Sequence, residues 1–183
     1  MKLDEELIET RVVFAGRYLR AEERRVRLPD GSTAVREIIC PPDAVGILAL
    51  DAGGTAYLVR QYRTALQAVT LEIPAGVIDP GEAPDATAAR ECAEEIGMRP
   101  ARLVPICRFY HSVGFSTGQI HLYLADGLAP APAAAPDPGE RLELVRLPFT
   151  TLYAMALRGE IVDCKSLLAI HWYRDRIREA RNA

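Results

Sequence analysis

Residues 76–98, GVIDPGEAPDATAARECAEEIGM, constrain this chain more than any other stretch. Glu91, Glu94 and Glu95 stand at i, i+3 and i+4. On a helix with about 3.6 residues per turn these offsets put three carboxylates on one face. At about 100° per residue, Ala86, Ala89, Cys92, Ala93 and Ile96 are expected to form an apolar back. Pro84 suits the first turn, and Gly97 suits the left-handed position past the last. Like charges one turn apart cost a few tenths of a kcal/mol per pair, so a compensating charge is expected. A hard divalent cation with oxygen ligands, Mg²⁺ or Mn²⁺, is the natural candidate. A solvated acidic face is the plain alternative.

Composition limits the remaining possibilities. A chain of 183 residues, 49% hydrophobic and 26% charged, is one globular domain, or one domain with an appendage. The net charge of -3 and the lack of a basic block argue against a nucleic-acid binder. No apolar run reaches the roughly 20 residues of a membrane span. The acidic start, MKLDEELIETR, has no apolar signal region. Cys40, Cys92, Cys107 and Cys164 lack C-x-x-C spacing, so free thiols in a reducing cytoplasm are expected.

The patterning predicts strands over 12–28 and 33–40 around the turn at 29–32, then a joint at Pro41-Pro42-Asp43. Ala44–Leu50 reads as a buried strand, and Thr55–Gln61 as the next. Leu71-Glu72-Ile73-Pro74 leads into the Gly76 turn and the acidic helix. Arg102–Tyr110, Gln119–Ala125 and Leu142–Leu147 read as further strands. The Pro/Ala-rich stretch Leu128–Gly139 reads as an exposed loop, too proline-dense for a helix or strand. Helices are expected over Thr150–Arg158 and Ser166–Arg181. This order suggests an α/β fold with a mixed sheet between helices.

The spacing from Gly76 to Met98 matches G-x5-E-x7-R-E-U-x-E-E-x-G-U, with Cys92 at an aliphatic (U) position. It resembles the Nudix box, and the chain resembles a Nudix hydrolase. VRQYR at 59–63, LEIPAG at 71–76 and GEIVDCKS at 159–166 resemble its ADP-ribose pyrophosphatase branch, which also contains hydrolases of other nucleoside diphosphate sugars. Two positions depart from that branch. Val113 replaces its habitual proline, and Gly118 stands where an acidic residue often sits.

The resemblance implies an α/β/α sandwich over residues 44–183, with a small antiparallel β region at 1–43 that is exchanged across a homodimer. It implies Mg²⁺-dependent hydrolysis of ADP-ribose to AMP and ribose 5-phosphate, with GDP-mannose, ADP-glucose and FAD as alternative substrates. A non-catalytic nucleotide-sugar sensor is the competing class. Implied metal ligands are Glu91, Glu95, Glu94 and the Ala75 carbonyl, with Glu82 through water or as a brace for the loop. Arg90 pairs with one of these glutamates and orients it. Glu140, after the Pro/Ala stretch, is the candidate base, and Glu143 is second. Arg36 and Arg63 are candidates for phosphate or ribose, each with surface ion pairing as its alternative. Glu72 could accept from a sugar hydroxyl or brace the fold. Tyr18, Phe14 and Tyr62 could stack on a base, although core packing is the simpler expectation for each.

Overall fold

The computed structural model describes residues 2–132 and 141–182. The chain divides into two compact units, one of residues 1–43 with 109–119, the other of 44–108 with 120–183.

The first unit is built on a three-stranded antiparallel sheet, β1 (Glu6–Ala15), β2 (Arg20–Arg27) and β3 (Thr33–Cys40), in the order β1-β2-β3. The expected single strand over 12–28 is therefore two strands. The chain reverses at Gly16, whose amide donates to the Leu19 carbonyl at 2.9 Å. The Phe14 ring lies so close to Gly16 that a Cβ there would collide with it. The β2–β3 turn falls where expected, with Gly31 at φ 89° and the Asp30 carboxylate accepting from the Ser32 amide. Phe14 and Tyr18 are exposed rather than packed in a core, as is Tyr62 of the second unit.

The second unit holds β4 (Ala44–Leu50), β5 (Thr55–Arg63), β6 (Ala68–Glu72), β7 (Ala75–Val77), α1 (Pro84–Ile96), β8 (Met98–Arg99), β9 (Arg102–Tyr110, its last two residues in the first unit) and β10 (Gln119–Asp126). It continues through β11 (Ala129–Pro130), β12 (Leu142–Pro148), α2 (Phe149–Leu157) and α3 (Cys164–Asn182). The main sheet runs β12-β5-β4-β10-β9, with β6 on β5 and β7 on β4. It is mixed: β4 and β10 are parallel, while β4–β5 and β5–β12 are antiparallel.

Strand β4 is buried on both faces, which explains its near-continuous apolar run. Val45, Ile47 and Ala49 join Tyr57, Val59, Tyr123 and the α1 residues Ala88, Cys92 and Ile96 in one core. Alternation turns Gly46, Leu48 and Leu50 to the other face. There a Cβ on Gly46 would meet Leu122, Ile73 and Lys165 of α3. Three differences from the expected elements stand out. Ala68–Glu72 forms strand β6, where the sequence suggests only a lead-in at Leu71-Glu72. Ala129–Pro130, expected to be loop, pairs with β8, a position a proline tolerates at a sheet edge. Ala86 of α1 is exposed, while Glu91 is buried, only 8% exposed.

Candidate active site

Helix α1 begins as expected with Pro84 in its first turn and stops at Gly97, φ 65°. Its carboxylates do not face solvent as a simple stripe. The Arg90 guanidinium sits among them, with Nη1 donating to Glu91 Oε1 at 2.7 Å and to Glu94 Oε2 at 2.8 Å. Its Nε and Nη2 donate to Glu82 at 3.2 and 3.1 Å. Nη2 also donates to the Val77 carbonyl at 3.2 Å. One fork therefore gathers three carboxylates and β7, where Gly76 lies within a strand rather than at the expected turn. The hydrogen bonds from Arg90, then from Thr87, hold the Glu82 carboxyl down to about 2. Arg90 holds its own proton more tightly than usual, chiefly through its hydrogen bond to Glu82.

Glu95 turns to the preceding strand and accepts from the Ala75 amide at 2.9 Å. Glu91 lies against Gly76, where a Cβ would fall inside its carboxylate. So Ala75, Gly76, Glu82, Glu91, Glu94 and Glu95 come together, with Arg90 as the hub. Cys92, by contrast, points into the core, and burial, then the charges of Glu95 and Glu91, push its thiol up to about 12.

This donor set fits hard divalent cations: it consists of carboxylate oxygens beside backbone carbonyls, with no soft ligand facing them. The cradle at Gly76, which only a residue without a side chain leaves open, is consistent with that. Among the described residues no three His, Cys, Asp or Glu side chains stand ready-made as a metal site. The carboxylates are drawn to Arg90 instead.

Arg63 and Glu72 also meet. Arg63 donates from Nε and Nη2 to the two Glu72 oxygens, each at 2.8 Å. Glu72 further accepts from Thr70 Oγ1 at 2.7 Å and from Lys165 Nζ. Burial works against its ionisation, but the hydrogen bonds from Arg63 and the charge of Lys165 outweigh it, holding the carboxyl down to about 2. Glu72 is thus a brace with its acceptor sites filled, and a sugar hydroxyl would have to displace a donor. Lys165 was not foreseen; the only signal for it was the GEIVDCKS segment.

Three further residues were candidates for the substrate or the base. Arg36 belongs to the first unit and pairs with Glu5 there. Glu143 pairs with Arg60 at 3.2 Å. Glu140 lies outside the described residues.

Residues 41–163 match the NUDIX domain model. The chain belongs to the Nudix family, and it is a Nudix pyrophosphohydrolase, an enzyme of nucleoside diphosphate hydrolysis. It is 35% identical to the methanol dehydrogenase activator of Bacillus methanolicus over 92% of each chain. It is 32% identical to the ADP-ribose pyrophosphatase of Bacillus subtilis (strain 168) over 99% of this chain and 97% of that one. A crystal structure of an ADP compounds hydrolase shares the fold, with a TM-score of 0.85, 20% identity and 98% of both chains covered. Among the described residues no helix is long and apolar enough to cross a membrane.

Proposed function

We propose that this enzyme hydrolyses the pyrophosphate bond of ADP-ribose, giving AMP and ribose 5-phosphate, with Mg²⁺ as its metal and Mn²⁺ as a substitute. The observation that carries the reading is the gathering of Glu82, Glu91 and Glu94 on Arg90, beside the Glu95–Ala75 contact and the Gly76 cradle. The pyrophosphatase of B. subtilis, similar over nearly the whole chain, supports the choice of substrate.

Glu91, Glu94, Glu95 and the Ala75 carbonyl would hold the metal, with Glu82 nearby. Bound there, divalent ions would neutralise the pyrophosphate and activate the attacking water. The protein's own groups do the rest. Arg90 gathers three carboxylates in one place, so that an arriving ion would meet them together, each turning from the guanidinium to the ion. Arg63 gives two of its five N–H donors to Glu72; the rest suit a phosphate. Glu140 would take the proton of water as its oxygen adds to phosphorus and the P–O–P bridge breaks.

The exposed apolar side chains Leu7, Val12 and Phe14 of β1 support a homodimer formed through the N-terminal strands. Four free thiols suit a reducing cytoplasm.

A panel of ADP-ribose, ADP-glucose, GDP-mannose, UDP-glucose and FAD with Mg²⁺ tests the reading. AMP released mainly from ADP-ribose supports it. Preference for another sugar nucleotide would replace ADP-ribose and leave the chemistry intact. No turnover of any, with ligand binding retained, would favour a sensor. In an enzyme, Glu95→Gln should abolish turnover while keeping most ligand affinity.

A further inference from the structure

Ile73 and Pro74 belong to no strand, yet the chain crosses there from one strand of the main sheet to another. Glu72 pairs with Val59 of β5, and Ala75 pairs with Gly46 of β4. Between them the Ile47 amide donates to the Pro74 carbonyl at 2.9 Å. Proline has no N–H to return the bond, so the ladder is a donor short at this point. Ile73 is fully buried, and a buried amide needs an acceptor. It finds one outside the sheet: the Ile73 amide donates at 2.9 Å to Oγ of Ser166 in α3, 93 positions along the chain.

A serine hydroxyl carries one proton. The Ile73 amide can only donate, so the Ser166 proton goes to Asp163 Oδ2. The same oxygen accepts from the Ser166 amide at 3.0 Å and caps α3. The other oxygen, Oδ1, faces Lys165 Nζ at 3.1 Å. Ser166 is 1% exposed, so the direction of its hydroxyl is set by these protein groups rather than by bulk water.

This clamp acts on the residues that follow. Pro74 takes the hydrogen-bonded position against β4, so by alternation Ala75, opposite Gly46, turns its N–H and C=O away from β4. The N–H goes to Glu95 Oε2 at 2.9 Å. The carbonyl leaves the strand on the same side.

We propose that Ser166 is a positioning residue for the metal site: by holding the Ile73 amide it fixes the link Ile73-Pro74, and with it the direction of the Ala75 carbonyl and of the Glu95 carboxylate bound to the Ala75 amide. The inference rests on the metal ligands of the proposed function and adds a residue that touches neither metal nor substrate.

The test is the Mn²⁺ affinity of the full chain without substrate, read from the electron paramagnetic resonance of the free ion. Glu95→Gln identifies the ion concerned, and binding that this variant leaves unchanged would overturn the proposal. Ser166→Ala removes the acceptor and should weaken Mn²⁺ about tenfold, the lower end of what an orienting partner contributes. Ser166→Thr keeps the hydroxyl and should return affinity to within about threefold of the parent. Ile170→Val, at a buried position of the same helix, removes a methylene and no hydrogen bond. It should lower Tm while keeping Mn²⁺ affinity within about twofold of the parent. A serine that serves only the fold would give Ser166→Ala a lower Tm and an unchanged Mn²⁺ affinity. That result overturns the proposal, as does an equal loss in Ile170→Val, or Ser166→Thr binding no better than Ser166→Ala. Should Ser166→Ala fail to fold, Ser166→Cys keeps a weaker acceptor. A smaller loss in the same direction is then expected, and no loss overturns the proposal. A parent chain that binds no Mn²⁺ removes the proposal together with the metal site it rests on. A parent chain that binds Mn²⁺ but cleaves no nucleoside diphosphate refutes the proposed reaction alone and leaves this comparison readable.

Discussion

The Glu91 carboxylate rests on the backbone of Gly76, in the space where any other residue would carry its Cβ. The two are fifteen positions apart and belong to different elements, yet each dictates the other. A buried glutamate on α1 is tolerable because Arg90 pairs with it and because Gly76 leaves room for its oxygens. Gly76→Ala should therefore push the carboxylate aside. Loss of about a hundredfold in kcat is expected, the scale of a misplacement of about 1 Å. Thermal melts would show that the fold survives. Activity close to that of the parent would mean that Glu91 can work from another rotamer.

Arg90→Lys tests the hub. A lysine carries the charge but lacks the planar fork that reaches Glu82, Glu91 and Glu94 together. Divalent-ion affinity, followed by calorimetry, should fall about 10–100-fold, the usual cost of losing an orienting partner. Unchanged affinity would show that the carboxylates need no such guide.

Glu140→Gln addresses the base. The variant should lose kcat by about 10²–10⁴-fold, the usual contribution of a general base, with KM much less affected. A kcat near that of the parent would remove Glu140 from the role and turn attention to Glu143.

Glu72 makes acid stability a further readout. Its carboxyl is held at about 2, against an ordinary 4.5. A depressed folded-state value means the native state binds the proton less readily than the unfolded chain. The stabilisation is therefore complete above the ordinary value and is lost as pH falls from 4.5 toward 2. Glu72→Gln should lower Tm at neutral pH and flatten its decline across that window. A parallel decline in both proteins would contradict the linkage.

Light scattering tests the dimer. The expected mass is twice the 20.1 kDa of one chain, and Phe14→Glu on exposed β1 should return it to one chain. A parent protein that already runs as a single chain would remove the homodimer from the proposal.

The acidic helix was legible because everything that defines it is local: Pro84 to start, carboxylates one turn apart, and Gly97 to stop. Strand β4 was legible for the same reason, since a strand buried on both faces shows as an unbroken apolar run. The break at Gly16 was not, because the Gly16–Leu19 reversal carries no proline, asparagine or aspartate to mark it. Strand β6 was missed because its half-exposed alternation is too short to stand out from a turn.

By itself, then, the order of residues determined the family's box, its helix and the residue types that could hold a hard cation. These follow from periodicity and spacing within a few turns of chain. Only the tertiary structure decided which way the carboxylates turn. Glu91 went inward onto Gly76, and Glu94 and Glu82 went to Arg90. It alone brought Lys165 to Glu72, 93 positions away in the chain. Buried charges must be matched wherever packing puts them, and that matching is set by contacts distant in sequence, which no local pattern encodes.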